Sequence, residues 1–297
     1  MTAANVSILP VHGGLEAPVN RIDAAAASAG ADLAKVDVNE VDRTTLYRIA
    51  DGTLSPLEGP MARADYDAVL SEQAIERNGG KWAWTIPIIL PVTDAEAAAC
   101  TAGAKIALCS DGEVFGVLEV EGGAYDWDKA AFIKAVYRTE RTDHPGARLW
   151  TADERTKLVG GTITLAPAED TRPFAGRVMG PTQTRSLIMD RGWEQSIAFQ
   201  TRNPLHRAHE YALVHGAEVI LRDTGKKTGV ILNPLVGQLK GDDVPASTRM
   251  ETYEALVKNR LLGEGDKDAE LWESKGQDLN DQLELVGLDM RMYYGGP

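Results

Sequence analysis

Short apolar runs alternate with turn residues through the first half of the chain, and the period lengthens in the second. The runs Trp82–Val92, Lys105–Leu108, Val114–Val120 and Gly161–Leu165 are bounded by Gly, Pro, Ser and Asp and read as β-strands. Ser110-Asp111-Gly112 separates two of them as a tight hairpin would. Ala62–Arg77, Asp126–Tyr137 and the alanine run Ala24–Ala27 read as helix. This mixture predicts an α+β module built on a partly closed β-barrel, spanning residues 1–170.

Beyond the Pro/Gly-marked stretch Thr171–Pro181 a different architecture begins, spanning residues 171–297. Gln195–Gln200 reads as a short strand that ends in the polar turn Thr201-Arg202-Asn203-Pro204. Leu205, Ala208, Ala212, Gly216 and Val219 recur at helical spacing and predict a helix with one small-residue face, Pro204 near its first turn. Thr224-Gly225 stops it, and Gly229–Leu235 reads as the next strand. Strand, helix, strand is a βαβ unit. The Thr248-x-x-Glu251 capping box predicts a second helix that buries Met250, Tyr253, Leu256 and Val257. The fold class is therefore α/β plus α+β, the second domain being doubly wound and Rossmann-like. Ligands in such sheets sit at the carboxyl ends of the strands.

Composition supports two domains without adding detail: 297 residues, 43% hydrophobic and 25% charged, are ordinary for globular folds. A net charge of −13 argues against nucleic acid or an anionic membrane surface as partner, since both favour a basic face. Two cysteines, Cys100 and Cys109, make no disulfide framework or metal spacing and read as reduced and structural. Residues 1–20 lack a secretory pattern, and runs such as Ile86–Val92 fall far short of the ~20 residues a membrane span needs. The expectation is a soluble, cytoplasmic protein.

The chemistry concentrates in one eleven-residue run, Gln200-Thr201-Arg202-Asn203-Pro204-Leu205-His206-Arg207-Ala208-His209-Glu210, where a strand feeds a helix. Free N–H groups and the positive end of the helix dipole favour an anion there. Arg202 supplies a planar fork for two oxygens of a sulfate or phosphate, and Gln200 and Asn203 add neutral donors. His206 and His209, three apart, project from one side and can donate to charge growing on a transferring phosphoryl group. An isolated H-x-x-H pair is often a plain surface or core pair, but its neighbours here argue otherwise. The zinc protease pattern H-E-x-x-H does not fit, since Glu210 follows the second histidine. No Ser or Cys is arranged with a base, so direct attack of one substrate on another is the natural chemistry.

The run from Gln200 to His209 matches Q-x-R-N-P-x-H-x-x-H without a departure, and the chain thereby resembles the ATP sulfurylase (sulfate adenylyltransferase) family. The resemblance extends through Leu9–Arg21, Gly52–Gly59, Thr85–Val92, His144-Pro145-Gly146, Leu158–Gly161, Pro181–Arg185, Asn233–Gly237 with Lys240, and Met290–Pro297. It implies an N-terminal PUA-like β-barrel module followed by a nucleotidyltransferase α/β domain. It implies an enzyme that joins sulfate to the α-phosphoryl group of ATP, giving adenylyl sulfate and pyrophosphate, with Mg²⁺ carried on the ATP rather than held by a protein metal site. By position, Gln200 and Arg202 would bind sulfate. Thr201, Arg202 and Asn203 would line the catalytic loop, and His206 and His209 would stabilise the transition state. The same six residues, Gln200 included, would contact ATP. The family forms homo-oligomers.

The pattern departs from the family at three places. Asn233 stands where many members have His, which leaves its role open. Leu262–Val286 is longer and more charged than a compact connection and reads as a solvated surface insertion, of a kind loosely associated with dissimilatory sulfur metabolism. No G-R-x-H-A-type nucleotide motif occurs before Pro297, so the expectation is a domain incomplete at its C-terminal end and weak or inactive alone. The rival readings are another nucleotidyltransferase sharing the H-x-x-H helix start, and a non-catalytic paralogue that binds sulfate or nucleotide or assembles with longer subunits. Charge separates by region: Arg185–Arg249 carries nine basic residues against seven acidic ones, so the acidity belongs to the rest of the chain.

Overall fold

The computed structural model describes residues 8–237 and 243–290. The described residues divide into two compact units, one spanning Pro10–Glu169 and one drawn from residues 170–290 together with Ile8 and Leu9.

The first unit opens with α1 (Ala26–Ala29), β1 (Lys35–Asp37) and α2 (Glu40–Ala50). Asn39 caps α2 by accepting the Asp42 N–H at 2.8 Å. α3 (Arg63–Glu72) follows and then the hairpin β2 (Ala74–Arg77) and β3 (Gly80–Ala83). The helix predicted over Ala62–Arg77 therefore ends early. Gln73 turns left-handed at φ 54°, and the β-branched Ile75 goes on into a strand paired with Trp82. The strand predicted over Trp82–Val92 is likewise broken, into β3 and β4 (Leu90–Val92), with the proline-bearing stretch between them outside any ladder.

Next come α4 (Asp94–Ala97), β5 (Lys105–Ser110), β6 (Glu113–Val120) and β7 (Tyr125–Asp126). The β5–β6 hairpin turns on Asp111 (φ 53°) and Gly112 (φ 82°), the left-handed pair that a two-residue hairpin loop requires. α5 (Lys129–Tyr137), α6 (Pro145–Thr151), β8 (Lys157–Val159) and β9 (Gly161–Leu165) complete the unit. The helix predicted from Asp126 starts later, capped by Asp128.

Two sheets dominate, in strand orders β1-β5-β6-β9 and β4-β8-β7. β8 and β9 are consecutive strands of different sheets, separated by Gly160. A Cβ on Gly160 would lie 2.3 Å from the Met61 backbone, and one on Gly161 2.0 Å from the Glu119 carbonyl oxygen. Glycine is what lets the backbones approach so closely where the chain passes between sheets. Phe132, Trp127 and Trp150 meet edge to face inside. Cys100 and Cys109 are free and buried, as expected.

The second unit carries a short 3₁₀ turn (Ala175–Arg177), α7 (Pro181–Asp190), β10 (Gln195–Thr201), α8 (Arg207–Thr224), β11 (Thr228–Pro234), α9 (Ala246–Lys258), α10 (Ala269–Ser274) and β12 (Leu283–Leu285). Its three strands are parallel, in the order β10-β11-β12. One core packs Leu213, Val214, Ala217 and Leu221 of α8, Met250 and Tyr253 of α9 and Trp272 of α10 with Val230, Leu232 and Leu285 of the sheet. The alternate residues Ile231 and Val286 pack with Trp193 and with Leu187 and Ile188 of α7. Helices thus cover both faces, the doubly wound α/β arrangement the period change predicts.

Three expectations fail in this unit. The buried face of α8 is Leu213, Val214, Ala217 and Leu221, whereas Ala208, Ala212 and Val219 of the predicted small-residue face are exposed. The larger aliphatic side chains gain more by leaving water, and they set the helix's rotation. α9 starts at Ala246, so Thr248 lies inside its first turn and makes no cap; Met250 and Tyr253 are buried as expected. Leu262–Val286 is not a solvated insertion. Leu262, Trp272, Leu279, Leu283 and Leu285 belong to the core, and β12 is a strand of the sheet.

Among the described residues, no helix is long and apolar enough to cross a membrane.

Candidate functional site

β10 ends at Thr201, and the chain turns through Arg202, Asn203, Pro204 and Leu205 into α8. The turn closes on itself: Thr201 Oγ1 accepts the Asn203 N–H at 3.1 Å and lies 3.1 Å from the Asn203 carbonyl oxygen. The Thr201 carbonyl accepts the Leu235 N–H at 2.9 Å, tying the turn to the end of β11. The Tyr253 hydroxyl of α9 donates to the Asn203 carbonyl at 2.5 Å. A turn so held from within and from two neighbouring elements has its backbone fixed without a ligand's help.

The helix begins later than Pro204 suggests. His206 is the N-cap and Arg207 the first helical residue, so Pro204 and Leu205 belong to the turn. His206 Nδ1 accepts the Ala208 N–H at 3.3 Å, which leaves its Nε2 as the remaining ring nitrogen. His209, three residues on, brings its ring to 3.7 Å from that of His206 and 5.4 Å from Phe199. Its Nδ1 is buried and has no hydrogen-bond partner. A buried nitrogen without a partner at a helix start is suited to meeting a group the chain does not supply.

Gln200 precedes the turn and is exposed. Its Nε2 donates to Asn233 Oδ1 at 3.1 Å, and Asn233 Nδ2 donates to the Val286 carbonyl at 2.6 Å. The parallel register pairs Gln200 with Asn233, so the two side chains are neighbours by construction. Asn233 therefore orients Gln200 and links it to the residue just past β12, a task its neutral amide performs from both ends. Arg202 Nη1 pairs with Asp243, whose side chain is 8% exposed against 29% for Arg202.

Behind these groups lies Arg249, 1% exposed, with Nε donating to the Val244 carbonyl and Nη1 to the Leu235 carbonyl. Asp243, Arg249 and Tyr253 are not foreseen from the sequence. They stand 41 to 50 residues beyond the turn, and only the tertiary packing of α9 brings them to it. Arg207 is drawn the other way, to Asp266 at 2.8 Å, and Glu210 accepts the Gly263 N–H at 2.7 Å.

All six residues singled out from the sequence, Gln200, Thr201, Arg202, Asn203, His206 and His209, thus lie along one strand end, one turn and one helix start. Lys240 and the stretch beyond Met290 lie outside the described residues. Among the described residues, no three His, Cys, Asp or Glu side chains gather to hold a metal ion.

Residues 10–168 match the profile of the PUA-like domain, and residues 176–297 match that of ATP-sulfurylase. The chain is 61% identical over 297 residues to a sulfate adenylyltransferase of Pyropia yezoensis, covering 99% of this chain and 70% of that protein. It is 39% identical to the sulfate adenylyltransferase of Deinococcus radiodurans over 224 residues, 75% of this chain and 54% of the relative. It is 38% identical to that of Synechocystis over 265 residues, 87% of this chain and 64% of the relative. The chain thus spans between about half and seven tenths of the length of these relatives. Among solved structures, a hexameric APS kinase from Thiobacillus denitrificans superposes with a TM-score of 0.66 over 96% of this chain and 48% of its own. At 22% identity that likeness speaks to the fold.

Proposed function

The chain belongs to the ATP-sulfurylase family, and from that membership we propose that its second unit binds sulfate and ATP for adenylyl transfer. A sulfate oxygen attacks the α-phosphorus of ATP, the bond from that phosphorus to the β-phosphoryl oxygen breaks, and pyrophosphate leaves. Adenylyl sulfate is the other product, and the same site serves the reverse reaction.

The observation that carries this reading is the convergence of Arg202, a partnerless buried His209 nitrogen and the start of α8 on one turn. Arg202 and Gln200 hold the sulfate, the guanidinium through paired N–H groups and the amide through a neutral donor. Thr201 and Asn203 shape the turn against the nucleotide. His206 Nε2 and His209 supply donors for the charge that builds on the α-phosphoryl group and the departing pyrophosphate. Two anions repel unless cationic and dipolar groups are already in place, so catalysis here is positioning and electrostatics with no covalent intermediate. Mg²⁺ enters on the ATP phosphates as part of the substrate. The PUA-like unit is scaffold in this reading, and the full-length protein acts in the cytoplasm as a homo-oligomer.

The test is sulfate-dependent exchange of labelled pyrophosphate into ATP, beside calorimetric titration of the chain with sulfate. Sulfate binding lost in Arg202→Ala, together with any exchange, is the expected result. Sulfate binding that survives Arg202→Ala unchanged overturns the reading.

A further inference from the structure

Arg202 is the one strongly cationic side chain of the turn, yet it does not stand alone. Asp243, in the segment leading into α9, meets it through Nη1. Among the described residues this is the only hydrogen bond its guanidinium makes, which leaves Nε and Nη2 without one. The Nε–Nη2 edge is a fork that takes two oxygens of a sulfate or phosphate side by side.

Asp243 is itself held firmly. Its side chain is almost sealed from solvent. The next residue, Val244, has its carbonyl pinned by Arg249 Nε at 2.9 Å, and Arg249 Nη1 fixes the Leu235 carbonyl at the end of β11 at 2.8 Å. One helical turn further along α9, Tyr253 holds the Asn203 carbonyl. α9 and the segment leading into it therefore grip the turn at two adjacent residues, Arg202 by its side chain and Asn203 by its backbone.

We propose that Asp243 is the positioning residue of Arg202: it anchors the Nη1 corner and so presents the Nε–Nη2 edge, preset, to the incoming oxyanion. An unheld arginine would have to give up its rotamer freedom on binding, and that cost falls on affinity. The carboxylate also neutralises a half-buried cation while no substrate is bound. It repels a bound anion as well, so the two effects oppose, and the fixed geometry decides the sign: removing Asp243 weakens sulfate binding. This inference rests on the proposed function, in which Arg202 grips sulfate.

Two measurements on the 297-residue chain separate the inference from that premise. The first is the ¹⁵N NMR signal of the Arg202 Nε–H, identified by its loss in Arg202→Lys, whose exchange with water reports the hold on the guanidinium whether or not an anion binds. The second is calorimetric titration with sulfate. In Asp243→Ala the Nε–H is expected to exchange faster and sulfate affinity to fall about tenfold. Asp243→Asn retains an acceptor for Nη1 and is expected to recover most of both. An Nε–H that behaves identically in all three chains, or tighter sulfate binding in Asp243→Ala, overturns the proposal. A parent chain that takes up no sulfate overturns the functional reading, and the Nε–H result still decides whether Asp243 holds Arg202.

Discussion

The rings of His206 and His209 lie 3.7 Å apart with their planes at 33°, and the two imidazoles are held in different ways. His206 spends its Nδ1 on the Ala208 N–H, as a helix cap. His209 keeps a buried Nδ1 with no partner. Capping and the proposed catalytic role can be pulled apart at the first of them. Asparagine is among the strongest caps but has no imidazole, so His206→Asn should unfold at the parent's temperature while kcat falls about 10²–10³-fold. His206→Ala should lose about 1 kcal/mol of stability as well. Parallel thermal melts and initial rates make the comparison; full turnover in His206→Asn would reduce this residue to a cap.

Glu218 is the second test, because it makes a charged stretch into part of the core. It is 6% exposed, accepts the Asp268 N–H at 2.7 Å, and accepts Trp272 Nε1 at 3.2 Å. Both donors belong to the 262–286 stretch that fills out the sheet. Hydrogen bonds to a charged acceptor are worth about 1.5–3 kcal/mol, and removal leaves the buried donors unmet. Glu218→Ala is therefore expected to cost about 2–4 kcal/mol in urea unfolding, with Trp272 emission moving toward that of a solvated indole. A loss below about 0.5 kcal/mol, the usual range for surface positions, would return the stretch to the status of an insertion.

What the sequence makes legible here is local and what it hides is tertiary. The strand end, the polar turn and the two histidines follow from eleven consecutive residues, since periodicity and turn chemistry are properties of neighbours. The rotation of α8 does not, because that helix has two candidate apolar faces. Small residues at Ala208, Ala212 and Gly216 mark one, and Leu213, Val214, Ala217 and Leu221 mark the other; only burial chooses between them. The charged stretch 262–286 misleads for a similar reason. Its apolar residues are sparse, and several of them, Leu262, Trp272, Leu279, Leu283 and Leu285, are buried. The partners of the site are beyond reach altogether. Asn233 is set beside Gln200 by strand register, and Asp243 beside Arg202 by the packing of α9; neither spacing leaves a mark along the chain.

Alkaline stability of the first unit offers a final check, with a sign that burial alone fixes. Cys100 is 2% exposed, and its thiol donates to the Glu96 carbonyl at 3.3 Å. Burial, with a smaller push from the Glu96 charge, raises it from an ordinary 9.0 to about 11. Tyr66 and Tyr125 are raised in the same direction, again by burial first, then by Asp128 and Asp67 for Tyr66 and by Tyr66 itself for Tyr125. A group raised on folding keeps its proton in the native state at a pH where the unfolded chain has released it. Its contribution is complete below the unfolded value and drains away as pH climbs toward the folded one. The urea midpoint of this unit should therefore show no loss from these groups below pH 9 and fall between there and pH 11, where Cys100 completes its shift. The two tyrosines extend the decline upward from their ordinary 10.0. Phenolate absorbance should appear with unfolding rather than before it. Replacing Cys100 by alanine should flatten the lower part of the fall, because that thiol is the first of the three to lose its proton in the unfolded chain. Native Cys100 that reacts with a thiol reagent at pH 9 as fast as an exposed thiol would contradict the burial on which the sign depends.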